Sequence, residues 1–423
     1  MKVHMMGIGG SGMSGVANLA SEMGYEVTGC DLESQTAYQK NIFKGHSPEH
    51  LKGIDLLVVT PAVYYQNKKN AELIEGEKRG IATTWEKFVG NYLAVGKKMI
   101  CIAGTHGKST TTAMAGSLLT DADLDPLVVV GANVPWWNGN SRFGKGEYFV
   151  VEADEFNNNF LNYSPEIIIL NNIEFDHPDF FKDEKAVFES FKKFIDCLTG
   201  MKILIVNKDS PGVQKLLGMI DKSDLEIIEY SPDNDKLGFD LSLPGKHNIA
   251  NALGVVALGK LLDINERIIN KSLSSFPGIG RRMELIADKH GIKVYDDYAH
   301  HPTAIAATLQ ALREKYPANR ILAIDEPHGF ARTKALLSLY KDAFKDADKL
   351  MIGPIFKARD SETFGMTPQI VAEKAQNSDS VGYDSFEKIK SILQKDIRPS
   401  DIILVMGAGK SYLWAREISK LIK

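Results

Sequence analysis

The stretch CIAGTHGKSTTTAMAG, residues 101–116, decides the fold of this chain. An apolar run leads into a Gly-Thr-x-Gly-Lys-Ser turn, and a series of small residues follows the turn. This is the order of a strand, a phosphate-binding loop and a helix. The common loop has four residues between its first glycine and the Gly-Lys pair. Here only Thr105 and His106 separate Gly104 from Gly107, which predicts a shortened phosphate-binding loop.

Side chains at the end of this loop predict the ligand. Backbone N–H groups of such a loop surround phosphate oxygens, and a lysine beside them offsets the charge of the β- and γ-phosphates. Lys108 has that position, and the hydroxyl of Ser109, followed by Thr110, is placed to help hold Mg²⁺. We therefore expect ATP and Mg²⁺ as cofactors, because a non-functional loop is the weaker explanation in this strand–turn–helix setting.

Apolar, β-branched runs alternate with helical patterns along the whole chain, which predicts α/β domains with mainly parallel sheets covered on both faces. One helix is expected within 182–198, because its apolar residues form a single stripe. Linkers at 95–98 and 276–282 divide the chain into a Rossmann-like domain, a P-loop ATPase-like domain and a second Rossmann-like domain, over 1–94, 95–282 and 283–423. The predicted strands are 3–6, 25–31, 56–60, 99–103, 148–154, 167–173, 203–207, 292–298, 320–325, 349–353 and 401–407.

Composition excludes several functional classes. The net charge of −4 argues against general nucleic-acid binding, which needs a basic face. No run approaches the roughly 18 apolar residues that span a membrane, and the start of the chain lacks a signal-peptide hydrophobic region. Cys30, Cys101 and Cys197 are far apart, as expected for free thiols in a reducing compartment. A cytoplasmic protein is the expectation.

A glycine-rich turn follows the first strand. Gly7, Gly9, Gly10 and Gly12 match GxGxxG, and Asp31 ends the second predicted strand, where an acid often binds ribose. A dinucleotide-binding domain of a nicotinamide-dependent oxidoreductase is therefore one alternative. A second is that these glycines only allow a tight strand-to-helix turn, since the motif alone is weak.

Acidic residues and a histidine follow two further strands. Glu152, Asp154 and Glu155 end one strand, and Asp176 and His177 come after the next. Carboxyl ends of parallel strands meet at one edge of a sheet, so both groups should face the phosphate loop. We expect Glu152 and His177, with Ser109, to hold Mg²⁺.

Two asparagines begin a later helix. Asn248 and Asn251 are three residues apart, on one helical face, where their amides could bind an adenine edge. A purely capping role for asparagine at a helix start explains them equally well.

The last third of the chain carries a cluster of histidines and cations. They are expected to gather at two neighbouring strand ends, and their spacing is not that of a zinc site. A pocket for carboxylates, with Arg332 as a bidentate clamp, fits better. The cluster comprises His300, His301, His328, Arg332 and Lys334, and Pro302 is expected in the first turn of the following helix.

In their order along almost the whole chain, these motifs resemble the Mur ligase family. The series is GTHGKST, EADE, NIEFDH, GKHNIAN, GRRME and DDYAHHPT. In this family the shortened phosphate loop is normal. The resemblance implies an ATP-dependent amide-bond ligase of peptidoglycan synthesis, acting on UDP-N-acetylmuramate through an acyl phosphate. GIGGSGMSGVA and PHGFARTK resemble members that add L-alanine, whereas DDYAHHPTAIAATLQALR resembles members that attach a preformed tripeptide.

The resemblance also assigns roles to individual residues. It places ATP at Gly104, Thr105, Gly107, Lys108, Ser109, Thr110, Asn248, Asn251, Arg282 and Asp297, with Lys108, Glu152, His177 and Arg282 as catalytic groups. It places the UDP-sugar at Gly9, Gly10, Gly12, Met13, Ser14 and Asp31, and the amino acid at Tyr298, His300, His328 and Arg332. Sites for two nucleotides and an amino acid on three domains predict a closure about a hinge near 276–284, and we expect a monomer or weak homodimer.

Three departures from the family pattern are visible. Gly329 stands where the alanine-adding members have an arginine, which predicts one carboxylate contact fewer. The central domain lacks a β segment that relatives have before GKHN. The helix after His177 lacks a lysine that is carbamylated in members acting on later amino acids. A non-catalytic nucleotide-binding regulator is a further alternative, disfavoured because Lys108, Glu152, His177 and Arg282 are all retained.

Overall fold

The structure, a computed structural model, describes residues 1–32, 42–61, 63 and 69–422. Three β-sheets are built from successive parts of the chain. The strands are β1 (Lys2–Met6), β2 (Glu26–Asp31), β3 (Ile42–Lys44), β4 (Leu56–Val59), β5 (Ala82–Thr84), β6 (Lys98–Ala103), β7 (Leu127–Val134), β8 (Gly139–Arg142), β9 (Tyr148–Glu152), β10 (Ile167–Leu170), β11 (Ile203–Asn207), β12 (Glu226–Tyr230), β13 (Glu284–Lys289), β14 (Ile292–Asp297), β15 (Ile321–Glu326), β16 (Lys349–Ile352), β17 (Ser380–Gly382) and β18 (Ile402–Gly407).

Helices connect most of these strands, as expected for parallel sheets. Those in the described residues are α1 (Ser11–Glu22), α2 (Ala71–Lys78), α3 (Trp85–Phe88), α4 (Lys108–Asp121), α5 (Glu184–Ile195), α6 (Pro211–Leu217), α7 (Lys246–Leu261), α8 (Glu266–Ser274), α9 (Pro302–Lys315), α10 (Phe330–Ala335), α11 (Pro368–Lys374), α12 (Phe386–Asp396) and α13 (Ser411–Ser419). No helix among the described residues has both the length and the apolar character required to cross a membrane.

The first sheet has the order β3-β2-β1-β4-β5, and all its strands are parallel. In this order β2 and β3 lie on one side of β1, and β4 and β5 lie on its other side, so the strand order reverses at β1. Ligands of open parallel sheets bind at such a reversal, outside the carboxyl ends of the strands. The glycine-rich turn lies at this point, directly after β1.

The second sheet has the order β12-β11-β10-β6-β9-β7-β8. Its pairings are parallel except for the antiparallel edge pair of β7 and β8. β6 lies between β10 and β9, so residues that follow these two strands flank the phosphate loop after β6. This order confirms the expectation that Glu152 lies beside the loop.

The third sheet has the order β13-β14-β18-β15-β16-β17, with β13 antiparallel at one edge. Along β15, Ile321 and Ala323 pack into one buried cluster, and Leu322 and Ile324 pack into another. Alternate residues of a strand point to opposite faces, so both faces of this sheet are covered. The predicted fold class, α/β with mainly parallel sheets, is confirmed.

The chain forms two compact units. The first contains Met1–Glu174, Phe188–Asp240 and Ala250–Phe276, and the second contains Phe175–Val187, Leu241–Ile249 and Pro277–Lys423. The first two sheets belong to the first unit and the third sheet to the second. Along the chain, the last passage from one unit to the other falls at 276/277, inside the segment predicted as a hinge.

The structure corrects the predicted strands in detail. β9 ends at Glu152 and β10 at Leu170, earlier than predicted, so Asn171 and Asn172 belong to the loop after β10. The predicted set omitted β3, β5, β7, β8, β12, β13 and β17. Most of these are short edge strands, whose half-exposed side chains give little apolar signal. The predicted helical stripe is confirmed on α5 and its C-terminal turn, where Val187, Phe188, Phe191, Phe194, Ile195 and Leu198 are buried.

Candidate active site

The phosphate loop has the backbone that its glycines require. Gly104 and Gly107 have φ values of +136° and +79°, a region that strains residues with side chains. A Cβ atom on Gly107 would lie 2.3 Å from Oδ1 of Asn251. The helix α4 begins at the next residue, so its free N–H groups point into the loop, as in anion-binding sites at helix N-termini.

Lys108 is held beneath this loop by acidic and carbonyl oxygens. Its Nζ donates hydrogen bonds to Gly104 O and to Glu155 Oε2, both at 2.7 Å. Burial lowers the pKa of the amine, but the carboxylates of Glu155 and Asp154 outweigh burial and hold the pKa above its usual value. Lys108 is therefore a charged, pre-positioned cation. Its pairing with Glu155 was not predicted, although the EADE motif places that acid nearby.

Ser109 and Glu152 bring two oxygens together beside the lysine. Ser109 Oγ donates to Glu152 Oε1 at 3.0 Å, and Glu152 Oε2 accepts from Gly131 N at 2.6 Å. Hydroxyl and carboxylate oxygens are ligands that Mg²⁺ prefers. The donor set thus fits a magnesium ion held at the strand end.

Two neighbouring asparagines support the loop from the end of β10. Asn172 accepts from His106 N through Oδ1 at 2.8 Å and from Thr105 N through its carbonyl at 3.1 Å. Asn171 Nδ2 donates to Thr111 Oγ1 at 3.0 Å. Sequence analysis missed both residues. The signal was the NN pair directly after the apolar run IIIL, but the prediction assigned this pair to the strand.

The glycine-rich turn after β1 is organised by the neighbouring strand. Gly7 has a φ of +82°, and a Cβ atom there would lie 2.3 Å from Thr60 Cγ2. Gly7 N donates to Cys30 O at 2.8 Å, and Gly9 N donates to Asp31 Oδ2 at 2.8 Å. Asp31, predicted as a ligand for the UDP-sugar, thus supports the loop itself.

Other residues predicted for this second loop point inward. Met13 and Ser14 are buried, and Ser14 Oγ lies 3.5 Å from Asn140 Oδ1 of β8. Gly10 precedes α1 without a side-chain cap, and Gly12 lies close to the ring of Trp85. The turn therefore offers a ligand mainly its backbone N–H groups.

In the second unit, the Asp297 carboxylate lies beside Arg282, which was predicted to contact ATP. Its two carboxylate oxygens accept from Met283 N and Ala299 N, each at 2.7 Å. Burial raises the pKa of Asp297, opposed by the charge of Arg282. Arg282 also lies over the ring of Tyr298, 4.9 Å from its centroid. The structure thus brings Arg282, Asp297 and Tyr298 together.

The predicted amino-acid pocket is also assembled within the second unit. The rings of Tyr298 and His300 are 5.2 Å apart, and those of His300 and His328 are 5.6 Å apart. The predicted adjacency of the two strands is wrong, because β18 lies between β14 and β15. Their side chains still meet because all three strands are parallel and end at one edge. Burial, reinforced by Arg332, lowers the pKa of His328 to about 4 and that of His300 well below its usual value.

Arg332 is paired with an acid from the loop after β10. Its Nη2 lies 2.5 Å from Asp176 Oδ2, and both side chains are buried. Burial raises the pKa of Asp176, but Arg332 and His177 outweigh burial and hold it well below its usual value. The predicted carboxylate clamp, Arg332, is thus paired with Asp176. From the sequence, Asp176 was expected only near the metal site.

The remaining predicted residues divide by location. His177 belongs to the second unit, has a φ of +54° and lies beside Asp176, so its part in the metal site of Glu152 stays a prediction. His301 caps α9 by accepting from Thr303 N at 3.3 Å, and Pro302 begins that helix, as predicted. Lys334 is exposed.

Both asparagines lie in the first turns of α7, as predicted. Asn248 Nδ2 donates to Pro244 O at 2.7 Å, and Asn251 is buried next to Gly107. Asn251 is thus beside the phosphate loop, whereas the amide of Asn248 is engaged locally.

Comparison with known proteins identifies the family. Residues 2–91 match the Mur ligase family, catalytic domain, residues 102–239 the Mur ligase middle domain, and residues 281–409 the Mur ligase, glutamate ligase domain. The chain belongs to the Mur ligase family. The shortened phosphate loop is therefore part of a Mur ligase, and the resemblance found in the sequence is confirmed.

Curated relatives within the Mur ligase family match over nearly the whole chain. The UDP-N-acetylmuramate–L-alanine ligase of Clostridium tetani is 35% identical over 442 residues, covering 97% of this chain and 96% of that protein. The enzyme of the same name from Acetivibrio thermocellus is 36% identical over 444 residues, covering 97% and 94%. These matches rest on the full length of both chains.

Solved structures of Mur ligases share the fold. The UDP-N-acetylmuramate-alanine ligase MurC from Thermotoga maritima has a TM-score of 0.80 at 23% identity, covering 99% of this chain and 98% of that one. The murein peptide ligase Mpl from Psychrobacter arcticus has a TM-score of 0.72 at 24% identity, covering 100% and 98%. At this identity both likenesses concern the fold alone.

Proposed function

We propose that this Mur ligase joins L-alanine to the lactyl carboxylate of UDP-N-acetylmuramate, using ATP, in peptidoglycan precursor synthesis. The observation that carries the proposal is full-length identity of 35% to a UDP-N-acetylmuramate–L-alanine ligase. The site supports it, because a charged, buried Lys108 and the Ser109–Glu152 pair flank a loop built for phosphate.

Two chemical steps account for the reaction. The lactyl carboxylate attacks the γ-phosphorus of ATP, and ADP leaves to give an acyl phosphate. The free amine of L-alanine then attacks the acyl carbon, the amine loses a proton and inorganic phosphate leaves. The first step brings two anions together, so Lys108 and Arg282 lower its barrier by offsetting charge on the transferred phosphoryl group.

Magnesium would be held by Ser109, Glu152 and His177 in this proposal. When bound, it would supply further charge neutralisation at the phosphate oxygens. ATP would contact Gly104, Thr105, Gly107, Lys108, Ser109, Thr110, Asn248, Asn251, Arg282 and Asp297. The UDP-sugar would contact Gly9, Gly10, Gly12, Met13, Ser14 and Asp31, largely through backbone N–H groups.

The pocket of the second unit suits a zwitterionic amino acid. Asp176 and Arg332 present opposite charges at one place, complementary to an ammonium and a carboxylate. His300 and His328, with lowered pKa values, stay neutral near pH 7 and do not repel the ammonium group. Tyr298, His300, His328 and Arg332 are therefore proposed to surround the amino acid, and the arginine absent at Gly329 is not essential.

A preformed L-Ala-γ-D-Glu-diaminopimelate tripeptide is the second candidate donor, favoured by the DDYAHHPTAIAATLQALR stretch. Phosphate release with ATP, Mg²⁺ and UDP-N-acetylmuramate distinguishes the two donors. We expect turnover with L-alanine and none with the tripeptide. Turnover with the tripeptide alone would replace the first proposal with a role in cell-wall recycling.

The setting of the enzyme is proposed on the same basis. Domains over 1–94, 95–282 and 283–423 would bind the UDP-sugar, ATP and the amino acid, respectively. Small-molecule substrates, a cytoplasmic location and a monomer or weak homodimer complete the proposal. A domain closure about 276–284 would exclude water from the acyl phosphate, which small-angle scattering with an ATP analogue and UDP-N-acetylmuramate would detect.

A further inference from the structure

A second group of ligand-type side chains lies in the first sheet, away from the phosphate loop. His4 on β1, Cys30 on β2, His50 in the helical turn Pro48–Leu51 and Glu72 on α2 each offer one nitrogen, sulfur or oxygen atom. All four atoms lie within 4.8 Å of one another. The proposed ligase reaction uses none of these residues.

Distances from the Glu72 carboxylate to the other three side chains are close to the edges of a tetrahedral site. Glu72 Oε1 lies 3.0 Å from His4 Nε2 and 3.2 Å from His50 Nδ1, and Glu72 Oε2 lies 3.4 Å from Cys30 Sγ. Zinc–ligand bonds of about 2.0–2.3 Å place neighbouring ligand atoms of a tetrahedron roughly 3.3–3.8 Å apart. Only small movements would bring the four atoms around one ion.

Burial separates this group from ordinary surface histidines and acids. His4, Cys30 and Glu72 are fully buried, and the side chain of His50 is 13% exposed. Nε2 of His4 is turned into the group, but it is not aligned with Glu72 as a hydrogen bond requires. A buried imidazole nitrogen that directs its lone pair into such a group is what a metal ligand requires.

Outer contacts orient the four side chains. Thr28 Oγ1 lies 2.8 Å from His4 Nδ1, which leaves His4 Nε2 to face the group. His46 Nδ1 lies 3.1 Å from Cys30 Sγ, and Ser47 N donates to Glu72 Oε2 at 2.9 Å. Hydrogen bonds from the second nitrogen of a histidine and to a thiolate are typical of metal sites. The partly exposed His46 and His50 also mark a path for an ion from solvent.

We propose that His4, Cys30, His50 and Glu72 bind one Zn²⁺ ion that stabilises the first domain. Mixed nitrogen, sulfur and oxygen donors suit zinc, and four protein ligands leave no position for substrate, as in structural sites. The ion would connect β1, β2, the 48–51 turn and α2. Because Cys30 O accepts hydrogen bonds from Gly7 N and Ile8 N, it would also brace the glycine-rich turn. This inference does not depend on the proposed ligase function.

Cobalt substitution tests the site in the full-length protein. The protein is stripped with a chelator and titrated with Co²⁺ in excess Mg²⁺, which occupies sites of oxygen ligands. We expect one equivalent of Co²⁺ with the intense visible bands of tetrahedral cobalt and a thiolate-to-cobalt charge-transfer band. One equivalent of Zn²⁺ should abolish both. A wild-type protein that shows no charge-transfer band, or binds no Zn²⁺, overturns the proposal.

Matched variants locate the site. Cys30→Ser should lose the charge-transfer band, whereas Cys197→Ser, which changes a thiol in the turn after α5, should retain it. Thr28→Val removes only an outer contact of His4 and should weaken Zn²⁺ binding about 10–100-fold. His50→Gln removes the most exposed ligand and should weaken Zn²⁺ binding by more than that. If Cys30→Ser does not fold, the Zn²⁺ affinity of His50→Gln tests the proposal instead. Unchanged Zn²⁺ affinity in that variant would show that the group is only a hydrogen-bonded core network.

Discussion

The two glycine-rich loops of the first unit share a strand–loop–helix plan but differ in what they offer a ligand. At the phosphate loop, Lys108, Ser109 and two glutamates converge on the strand ends. At the N-terminal turn, Met13 and Ser14 are buried, and the Asp31 carboxylate accepts a hydrogen bond from Gly9 N of the turn itself. A loop where bonds to phosphorus form and break needs charged side chains held in position, whereas a loop that only holds a pyrophosphate can rely on backbone N–H groups. This contrast agrees with catalysis at one loop and substrate binding at the other.

The largest effect is expected from removing the charge of the first loop. Lys108→Ala should lower kcat by about 10²–10³-fold, because an electrostatic contact to the transferred phosphoryl group is lost. Phosphate release measures this effect. Lys98→Ala is the control and should retain full activity. Lys98 has an exposed side chain at the start of β6, the strand that leads into the phosphate loop. A Lys108→Ala enzyme within tenfold of wild type would contradict the assigned role.

The second prediction concerns Glu86, a buried acid on α3 that follows Trp85, whose ring lies close to Gly12. Burial raises the pKa of Glu86 to about 7. The folded state then keeps a proton that the unfolded chain releases, so the free energy of unfolding falls as pH rises from about 4.5 to 7 and levels off above that. Glu86→Gln should remove this slope and raise the free energy of unfolding by roughly 3 kcal/mol at pH 8.

Urea unfolding at pH 5 and pH 8 measures the effect of Glu86→Gln. Glu77→Gln, at an exposed position on α2, should leave the slope of wild type unchanged. Parallel pH profiles for wild type and Glu86→Gln would show that Glu86 is ionised in the fold.

Gly7→Ala tests the close backbone approach at the N-terminal turn. Its Cβ atom would clash with Thr60 Cγ2, whereas at Gly24, with a similar φ of +90°, nothing lies within 4 Å. Gly24→Ala should cost about 1–2 kcal/mol of stability from backbone strain alone. Gly7→Ala should cost about 1–3 kcal/mol more from the clash.

Thr60→Ser, which removes the clashing methyl group, should recover part of this difference in the Gly7→Ala background. Denaturant unfolding of the single and double variants measures the recovery. Equal losses at Gly7 and Gly24 would mean that the turn tolerates a side chain.

The smallest effect is expected from the acid that supports the turn. Asp31→Ala leaves Gly9 N without its acceptor, which should raise KM for UDP-N-acetylmuramate about tenfold and change kcat little. Asp31→Asn keeps an acceptor oxygen, so its KM for UDP-N-acetylmuramate should lie between those of wild type and Asp31→Ala. Steady-state kinetics with saturating ATP and L-alanine measure both variants. A fall in kcat with KM unchanged would place Asp31 in catalysis.

The fold was largely predictable because its evidence is local. One short stretch holds the apolar run of β6, the glycine-containing turn and the small residues of α4. The order of the motifs along the chain then identified the family. Lys108, Ser109 and Glu152 were predictable for the same reason. The pairing of Lys108 with Glu155 and the support from Asn172 depend on β6 lying between β9 and β10, which spacing alone does not specify.

Long-range packing also explains the errors in the third sheet and in the first. β18, from the end of the chain, inserts between β14 and β15, so two strands consecutive in the predicted order are not neighbours. Cys30 gave no metal signal in the sequence, because His4, His50 and Glu72 are far from it along the chain and meet it only after the first sheet folds.

The central claim, that the phosphate loop transfers a phosphoryl group to a carboxylate, is tested most directly with oxygen-18. UDP-N-acetylmuramate labelled in its lactyl carboxylate is turned over with ATP and L-alanine, and the released phosphate is analysed by mass spectrometry. An acyl phosphate requires one labelled oxygen to appear in each phosphate released. Phosphate without label, alongside amide product, would contradict the account.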